Sequence, residues 1–490
     1  MEPSRQQHAE PESDQEKRKP IPLCVDLDGT LIRTDLLFES VFVLLRRNLL
    51  YILLIPIWLV RGKANLKEQV ARRVELPVHL LPYHGRLLEY LREEHRRRRP
   101  LVLVTAANRR FAESIARYLG LFSSVLASDA RVNLSEARKL ACLRDLYGEK
   151  NFDYAGNSRA DLKVWANAHK GIIVSPEVGV TLMARRVVEV ERVFDGHPGR
   201  PRAYLRAMRV QQWLKNLLVF VPMVFAHQMD DTALLLKAAL AFVSFSLCAA
   251  SAYLLNDLLD LSADRKHPRK RQRPFAAGSI SVKVGTLLIP ALLTVSLVVA
   301  AALSWEFLQM LLGYYLATLA YSFWLKSKMV ADILLLAGLY TLRVIAGATA
   351  TQIVLSFWLL AFSMFIFLSL AVIKRYSELL VMQESRQLSL MGRDYTTVDM
   401  QTLTGLGTAS GYMSVLVLAL YIDSPQVVAN YAHPQVLWLL CPLLLYWISR
   451  AWLLAGRGQM HDDPLVFAIK DRVSWLTGVC MAIVLWGARS

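Results

Sequence analysis

The sequence predicts a multidomain chain: an N-terminal α/β domain over residues 20–190, then an all-α polytopic membrane domain of about nine transmembrane helices over residues 200–490. Three observations predict it. The 490 residues are 54% hydrophobic with a mean hydropathy of +0.32, an apolar excess that a purely soluble chain does not carry. The composition shifts once, from charged clusters in the first two hundred residues to long apolar runs in the rest. Within the first part, short apolar runs that end in polar turns alternate with helical stretches.

Residues 1–19 are polar with no apolar core, which reads as a disordered leader rather than a signal peptide and keeps the N-terminus in the cytoplasm. The net charge of +17 suits nucleic acid, an anionic membrane surface or a phosphorylated substrate. The basic residues sit mostly beside apolar segments, so the expected partners are a lipid bilayer and phosphate, with no nucleic acid. Five cysteines, Cys24, Cys142, Cys248, Cys441 and Cys480, lack CxxC spacing and form no disulfide framework or zinc pattern, which suits a reducing compartment.

The first element, IPLCVDLDGTLI, reads as a buried strand ending in Asp26, Asp28, Gly29 and Thr30. Two carboxylates two residues apart at a strand end face the same way. One can attack a phosphorus while the other protonates the leaving oxygen and later activates water. The alternative reading of the pattern alone is a strand followed by an Asp-Gly turn. More pieces follow in order. LVLVTAAN is a second strand that carries the Thr105 hydroxyl, SEARKLACL places Lys139 on a helix, and FDYAGNSRADLKVW ends a third strand in Gly156, Asn157, Ser158 and Asp161.

Residues 20–185 thereby resemble the haloacid dehalogenase superfamily of phosphatases. The resemblance implies a Rossmannoid, doubly wound parallel sheet with its site at the carboxyl edge. It also implies that Asp26 is the nucleophile, Asp28 the acid/base, and Thr105 and Lys139 the phosphate holders, with Asp26, Asp28 and Asp161 as Mg2+ ligands. Asn157 stands where the family usually has Asp, and a neutral amide oxygen binds Mg2+ more weakly than a carboxylate. A silent regulatory module is the alternative reading of this domain.

A helical cap is expected near residues 31–100. Within it LLYILLIPIWLV, residues 49–60, is far shorter than the ~20 residues a spanning helix needs. With Pro56 inside it and Arg46, Arg47, Arg61 and Lys63 around it, it reads as a helix lying in the membrane interface, or else as a buried core helix. The run REEHRRRRP, Arg92 to Pro100, reads as a solvated helix end.

Nine apolar segments follow, centred near residues 221, 245, 294, 314, 341, 365, 412, 443 and 480. Pro222 interrupts the first. Loops 257–283, 325–331, 374–403 and 455–472 are rich in Lys and Arg, whereas the alternate loops near 228–233, 303–306, 351–356 and 423–434 have none. The basic loops and the N-terminal domain are therefore expected on the cytoplasmic side of the inner (plasma) membrane.

In NDLLDLSADRKHPRKRQRP, Asp257, Asp260 and Asp264 fall at i, i+3 and i+7, so one helix would present all three on one face. Carboxylates at a membrane boundary need a counter-charge, and a divalent metal with hard oxygen ligands supplies it, as Mg2+ carrying a pyrophosphate. Arg265, Lys270, Arg271 and Arg273 follow at once and can hold phosphate oxygens. The bland reading is a solvated helix end next to positive-inside charge.

The stretch from Asn256 to Asp264 fits NDxxDxxxD, and residues 200–490 resemble the UbiA superfamily of intramembrane prenyltransferases. The match is closest to its decaprenylphosphoryl-5-phosphoribose synthase branch. That branch is suggested by MRVQQWLKNLLVF with Lys215, LAYSFWLKSK with Tyr321 and Lys326, LRVIAGATAT with Arg343, KRYSEL with Lys374, Arg375, Tyr376 and Glu378, and IKDRV. The resemblance implies Mg2+ on Asn256, Asp257, Asp260 and Asp264, with Asp257 and Asp264 catalytic and the residues just named contacting substrate. Aromatic prenyltransferases carry a second acidic motif; here the corresponding loop offers only Asp332 among cations. A carboxylate-poor, cation-rich site suits a phosphorylated sugar donor.

The expected activity is transfer of 5-phosphoribose from phosphoribosyl pyrophosphate to a polyprenyl phosphate, with the N-terminal domain removing the 5-phosphate. The alternative is a prenyltransferase that joins a polyprenyl diphosphate to an aromatic or other polar acceptor. A transporter or receptor would place ionisable residues near the bilayer midplane, and few stand there. The sequence leaves the oligomeric state open.

Overall fold

The computed structural model describes residues 20–130, 132–194, 201–384, 394–425, 427, 431–460 and 463–489, so the expected leader over 1–19 lies outside the described residues. The chain forms two units. One comprises Met1–Arg200 with Leu258–Lys283, the other Pro201–Asp257 with Val284–Ser490.

The first unit is built on a six-stranded sheet: β1 (Leu23–Val25), β2 (Leu101–Asn108), β3 (Ser124–Ser128), β4 (Asp153–Gly156), β5 (Lys170–Val174) and β6 (Glu189–Phe194). All neighbours pair in parallel, in the order β3-β2-β1-β4-β5-β6. Both faces are covered, as the unbroken apolar runs require. Leu23, Val25, Leu101, Leu103, Ile172 and Val174 pack into one core, while the alternate residues Cys24, Val102, Val104 and Ile173 pack into another. The chain runs outward from β1 to β3 and then returns to place β4 on the other side of β1. The crevice beyond the carboxyl ends of β1 and β4 is therefore the switch point where such sheets hold ligands.

Between β1 and β2 the chain forms α1 (Leu36–Arg47), α2 (Tyr51–Val60) and α3 (Lys63–Ala71), followed by a helix over Gly85–Arg96. Asp35 caps α1 by accepting from the Leu37 and Phe38 N–H groups. Trp58 is the one fully buried side chain of α2 and packs with Leu44, Leu66, Val70 and Val74. Leu50, Ile52, Leu53, Ile57 and Val60 are exposed. The run after Glu94 is not uniformly solvated: Arg99 turns back into the unit, donating to Glu94 at 2.8 Å and to the Ile21 carbonyl at 3.0 Å and pairing with Asp153. Asp153 begins β4 and is itself buried, so a cation was needed there.

The second unit is helical. Six helices among the described residues are long and apolar enough to cross a membrane: Thr232–Leu259, Val282–Leu303, Ala331–Thr351, Phe357–Gln383, Thr397–Ile422 and Pro434–Gly456. The chain is a multi-pass membrane protein. Of the other three expected segments, the one near 314 is a helix of 19 residues, Trp305–Phe323. The one near 480 is an 18-residue helix, Arg472–Arg489, and the one near 221 is a 3-10 turn, Val210–Phe220, followed by the short helix Val221–Phe225. Small polar residues tie the spans together. Ser244 Oγ donates to the Ser296 carbonyl at 2.8 Å and Ser296 Oγ returns a bond to the Ser244 carbonyl at 2.6 Å. At Gly347 an added Cβ would lie 1.9 Å from the Val219 carbonyl oxygen, so this crossing admits only glycine.

Candidate active sites

Asp26 leaves the end of β1 with its N–H on the Ala155 carbonyl, 2.9 Å, which holds it beside β4. Its Oδ1 accepts from Lys139 Nζ at 2.7 Å, and the same amine donates to the Tyr154 hydroxyl at 3.0 Å. Tyr154 in turn donates to Asp161 Oδ1 at 2.8 Å. The other Asp161 oxygen accepts from the Asn157 and Ser158 N–H groups and the Ser158 hydroxyl, at 2.9 to 3.0 Å. Asp161 thus shapes the turn after β4 as well as standing near Asp26. Thr30 Oγ1 donates to Asn157 Oδ1 at 3.3 Å, and Gly29, at φ +78°, lies so close that a Cβ would meet Asn157 Nδ2 at 2.4 Å. Thr105 Oγ1 is buried and accepts the Ala107 N–H at 2.9 Å.

Burial pushes the Asp26 carboxyl up to about 6, against the pull of Lys139. Asp28 is raised well above the usual range, by burial first and then by Asp35. Its Oδ1 accepts the Leu36 N–H at 3.0 Å. Burial disfavours the charged Lys139 amine, yet Asp26 and Asp161 leave it net raised and cationic. An ionisable nucleophile, a second carboxyl shifted toward its protonated form and a fixed cation are the parts phosphate-ester chemistry needs. Lys67 of α3, which no motif marks, donates to the Ala106 carbonyl at 2.6 Å and to Asn133 Oδ1 at 2.9 Å, and its charge is felt at Asp28.

The acidic segment departs from expectation. The long helix ends at Leu259, Asp260 takes φ −96° and ψ 10°, and a second helix covers Leu261–Lys266. The single helical face predicted for Asp257, Asp260 and Asp264 is therefore broken at Asp260. Leu258, Leu259 and Leu261 are all buried around the break. The counter-charge also differs, since an arginine stands on each carboxylate. Arg209 reaches Asp257 at 2.5 Å, Arg46 reaches Asp260 at 3.4 Å and Arg273 reaches Asp264 at 2.8 Å. Among the described residues no three His, Cys, Asp or Glu side chains are grouped as metal ligands. Asn256 is half-buried; Lys270 and Arg271 are exposed, free of the core. Arg265 instead turns inward and its guanidinium is held by Glu39 of α1, at 2.5 and 3.1 Å.

The helical unit brings Lys215, Lys374 and Arg343 together around residues the sequence did not flag. Asp463 accepts from Lys215 Nζ at 2.7 Å, from Lys374 Nζ at 2.9 Å and from the Tyr340 hydroxyl at 2.9 Å. Lys215 and Arg343 both lie against the Tyr340 ring, 5.7 and 5.6 Å from its centroid. Arg343 also donates to Asn216 Oδ1 at 2.9 Å and to the Tyr314 hydroxyl at 3.2 Å. Asp463 stands next to Pro464 as the cap of the helix Pro464–Lys470, and a capping Asp before Pro is the only signal it offers.

Arg375 does not join that cluster. It is fully buried, forks onto Asp332 at 2.5 and 2.9 Å, and reaches Tyr321 at 2.8 Å and Glu378 at 2.6 Å. Arg375, Tyr321 and Glu378 thus form one internal network with Asp332, and Tyr376 packs edge-on against Trp452. Lys326 is half-buried on the turn Leu325–Ser327.

A membrane helix bundle with buried cations, on one chain with a parallel α/β unit that holds a paired-carboxylate strand end and the loop of Asp260 and Asp264, has the parts of a membrane transferase fused to a hydrolase-type domain. Residues 217–470 match the UbiA prenyltransferase family and residues 23–164 match haloacid dehalogenase-like hydrolases. The chain belongs to the UbiA prenyltransferase family. It is 35% identical over 465 residues to an uncharacterized protein, y4nM, of Sinorhizobium fredii, covering 94% of this chain and 90% of that one. The nodulation protein NoeC of Azorhizobium caulinodans is 35% identical over 284 residues, 58% of this chain and 92% of that protein. The decaprenyl-phosphate phosphoribosyltransferase of Mycobacterium tuberculosis is 38% identical over 179 residues, 36% of this chain and 59% of that enzyme. A solved UbiA homolog from Archaeoglobus fulgidus, bound to GPP and Mg2+, superposes with a TM-score of 0.45 at 19% identity, over 58% of this chain and 99% of that one.

Proposed function

We propose that the chain transfers 5-phosphoribose from phosphoribosyl pyrophosphate to a polyprenyl phosphate and that its haloacid dehalogenase-like unit then removes the 5-phosphate. The meeting of Lys215 and Lys374 on one carboxylate, with Arg343 on the same tyrosine ring, carries this reading. Clustered buried cations suit a donor that bears a phosphate beyond its pyrophosphate. Asp332, the lone carboxylate in place of a second acidic motif, is held by Arg375, which supports a donor with little need of a second metal. The stretch shared with decaprenyl-phosphate phosphoribosyltransferases supports it further.

In the transfer, Lys215, Lys374 and Arg343 hold phosphate oxygens. The bond from ribose C1 to pyrophosphate breaks with its electron pair leaving on pyrophosphate, and an oxygen of the lipid phosphate closes on C1. No protein nucleophile is needed. The donors of Asn256, Asp257, Asp260 and Asp264 are all oxygens and fit Mg2+, which would neutralise the departing pyrophosphate and take over the counter-charge that Arg209, Arg46 and Arg273 supply. Lys270, Arg271 and Arg273 stand ready for phosphate, whereas Arg265, bound to Glu39, serves the loop instead.

In the second step an Asp26 oxygen attacks phosphorus while Asp28 gives its proton to the leaving C5 oxygen. Asp28 then takes a proton from the water that releases phosphate from Asp26. Lys139 and Thr105 hold the phosphoryl oxygens, and the carboxylates of Asp26, Asp28 and Asp161 are the oxygen donors that suit Mg2+ there. The basic loops support a chain of about nine transmembrane helices in the inner membrane with both sites facing the cytoplasm.

The test is incubation of the purified chain with phosphoribosyl pyrophosphate, Mg2+ and a polyprenyl phosphate, followed by mass analysis of the lipid. A lipid-linked pentose is expected, and none from an Asp257→Ala chain that still inserts. Lipid that gains no pentose, or equal product from that variant, overturns the assignment.

A further inference from the structure

The Asp-rich loop is gripped along its length by the phosphatase-type unit to which it belongs. Glu39 of α1 is wholly buried and takes both ends of the Arg265 fork, at 2.5 and 3.1 Å, while Thr34 Oγ1 steadies its Oε2 at 2.9 Å. The same guanidinium donates through Nε to the Ala276 carbonyl at 3.2 Å, so one arginine ties the near and far arms of the loop. Two turns along the same face of α1, Arg46 reaches Asp260. Near the far end, Gly278 at φ +68° presses so close that a Cβ would stand 2.7 Å from the Arg33 Cβ and 3.2 Å from the Pro82 Cβ. Leu261, Phe275 and Ile280 are buried between these points.

α1 is itself fixed at its start, where Asp28 accepts the Leu36 N–H and Asp35 caps the first turn. A buried ion pair is a costly way to join two surfaces when an apolar contact would do, and its use here buys orientation: a bidentate fork admits one geometry.

Resting on the transferase reading above, we infer that Glu39 is a positioning residue for the transfer reaction and that the haloacid dehalogenase-like unit has a second function. Besides its own chemistry, it holds the loop that carries Asp260 and Asp264 in one arrangement. Glu39 acts through Arg265 and touches no substrate; Arg46 restrains Asp260 until a cation replaces it. Asp260 and Asp264 thereby sit on a loop that is ordered before Mg2+ and pyrophosphate bind, so less freedom of the loop is lost on binding.

The full-length chain tests this in detergent or vesicles with Glu39→Gln, Glu39→Asp and Arg46→Ala. Hydrogen exchange over residues 258–283 is expected to quicken about tenfold in Glu39→Gln, with protection of β2 unchanged, and less in the other two. Transfer should fall about tenfold in Glu39→Gln with a higher Mg2+ concentration at half-maximal rate, and Glu39→Asp should recover part of both. If Glu39→Gln loses protection in β2 and so unfolds, Arg46→Ala at the half-exposed pair decides. Loop exchange that stays at the wild-type rate, or a loosened loop with undiminished transfer, overturns the inference. A wild-type chain that forms no lipid-linked pentose overturns the transferase reading instead, and the exchange rates then decide by themselves whether Glu39 holds the loop.

Discussion

Asp26 sits where two demands oppose each other. Water exclusion makes it a good nucleophile and a poor anion, and Lys139 at 2.7 Å offsets only part of the cost. The folded carboxyl keeps its proton up to about pH 6, whereas the unfolded one gives it up near the ordinary value of 3.8. The folded state therefore binds more protons across that window. This group's contribution to stability is full below the unfolded value and is lost as pH rises to about 6, by on the order of 3 kcal/mol. Asp28, raised in the same direction, adds to the fall. With EDTA present to remove metal, protection of β2 in the full chain should drop between pH 4 and 6 in wild type and drop less in Asp26→Asn; parallel curves would refute the account. Residues of this kind were legible in the sequence because their partners in the fold are announced by short motifs. Tyr154 was not, although it bridges Lys139 to Asp161, since a tyrosine in a buried strand ordinarily reads as core. Asp463 and Glu39 were less legible still. Lys215 lies 248 residues from Asp463 and Arg265 lies 226 from Glu39, and no local spacing encodes a pairing at that distance.

At the level of elements, strand and span were readable where one period runs unbroken. The alternation of Leu101, Val102, Leu103 and Val104 between two cores is what a doubly covered parallel strand dictates. The same logic failed at Asp260, because i, i+3, i+7 spacing locates a face only while the helix continues, and this one ends at Leu259. For α2 the sequence left two readings, interfacial and core. Exposure of six large apolar side chains of α2, Ile52, Leu53, Leu54, Ile57, Leu59 and Val60, against one buried Trp58 favours the interface. A spin label at Leu53→Cys in the reconstituted chain should therefore sense lipid-dissolved oxygen more strongly than an aqueous nickel chelate. The reverse order would put α2 in water. Pro56, which spoils a long span, is tolerated in so short a helix.

For the whole molecule, the shift in composition near residue 200 marks where the membrane part begins, but it does not describe which residues fold together. Leu258–Lys283 is flanked on both sides by membrane helices and belongs to the α/β unit. Two activities on one chain also predict an order of events. If transfer precedes dephosphorylation, Asp26→Asn should accumulate lipid-linked 5-phosphopentose where wild type yields the pentose alone, visible as a phosphate-sized mass difference. An unchanged product would deny the α/β unit that role.

The contact of Gly278 with Arg33 leaves no room for even one methyl group, and the guanidinium of Arg265 is committed to the buried carboxylate of Glu39. Positions more than two hundred residues apart in the gene are thus bound to one another in descent: a change at 39 is tolerated only with an answering change at 265. Lineages that keep both halves on one chain should show 39 and 265 drifting together, and lineages that have shed the α/β half should show residue 265 released from arginine.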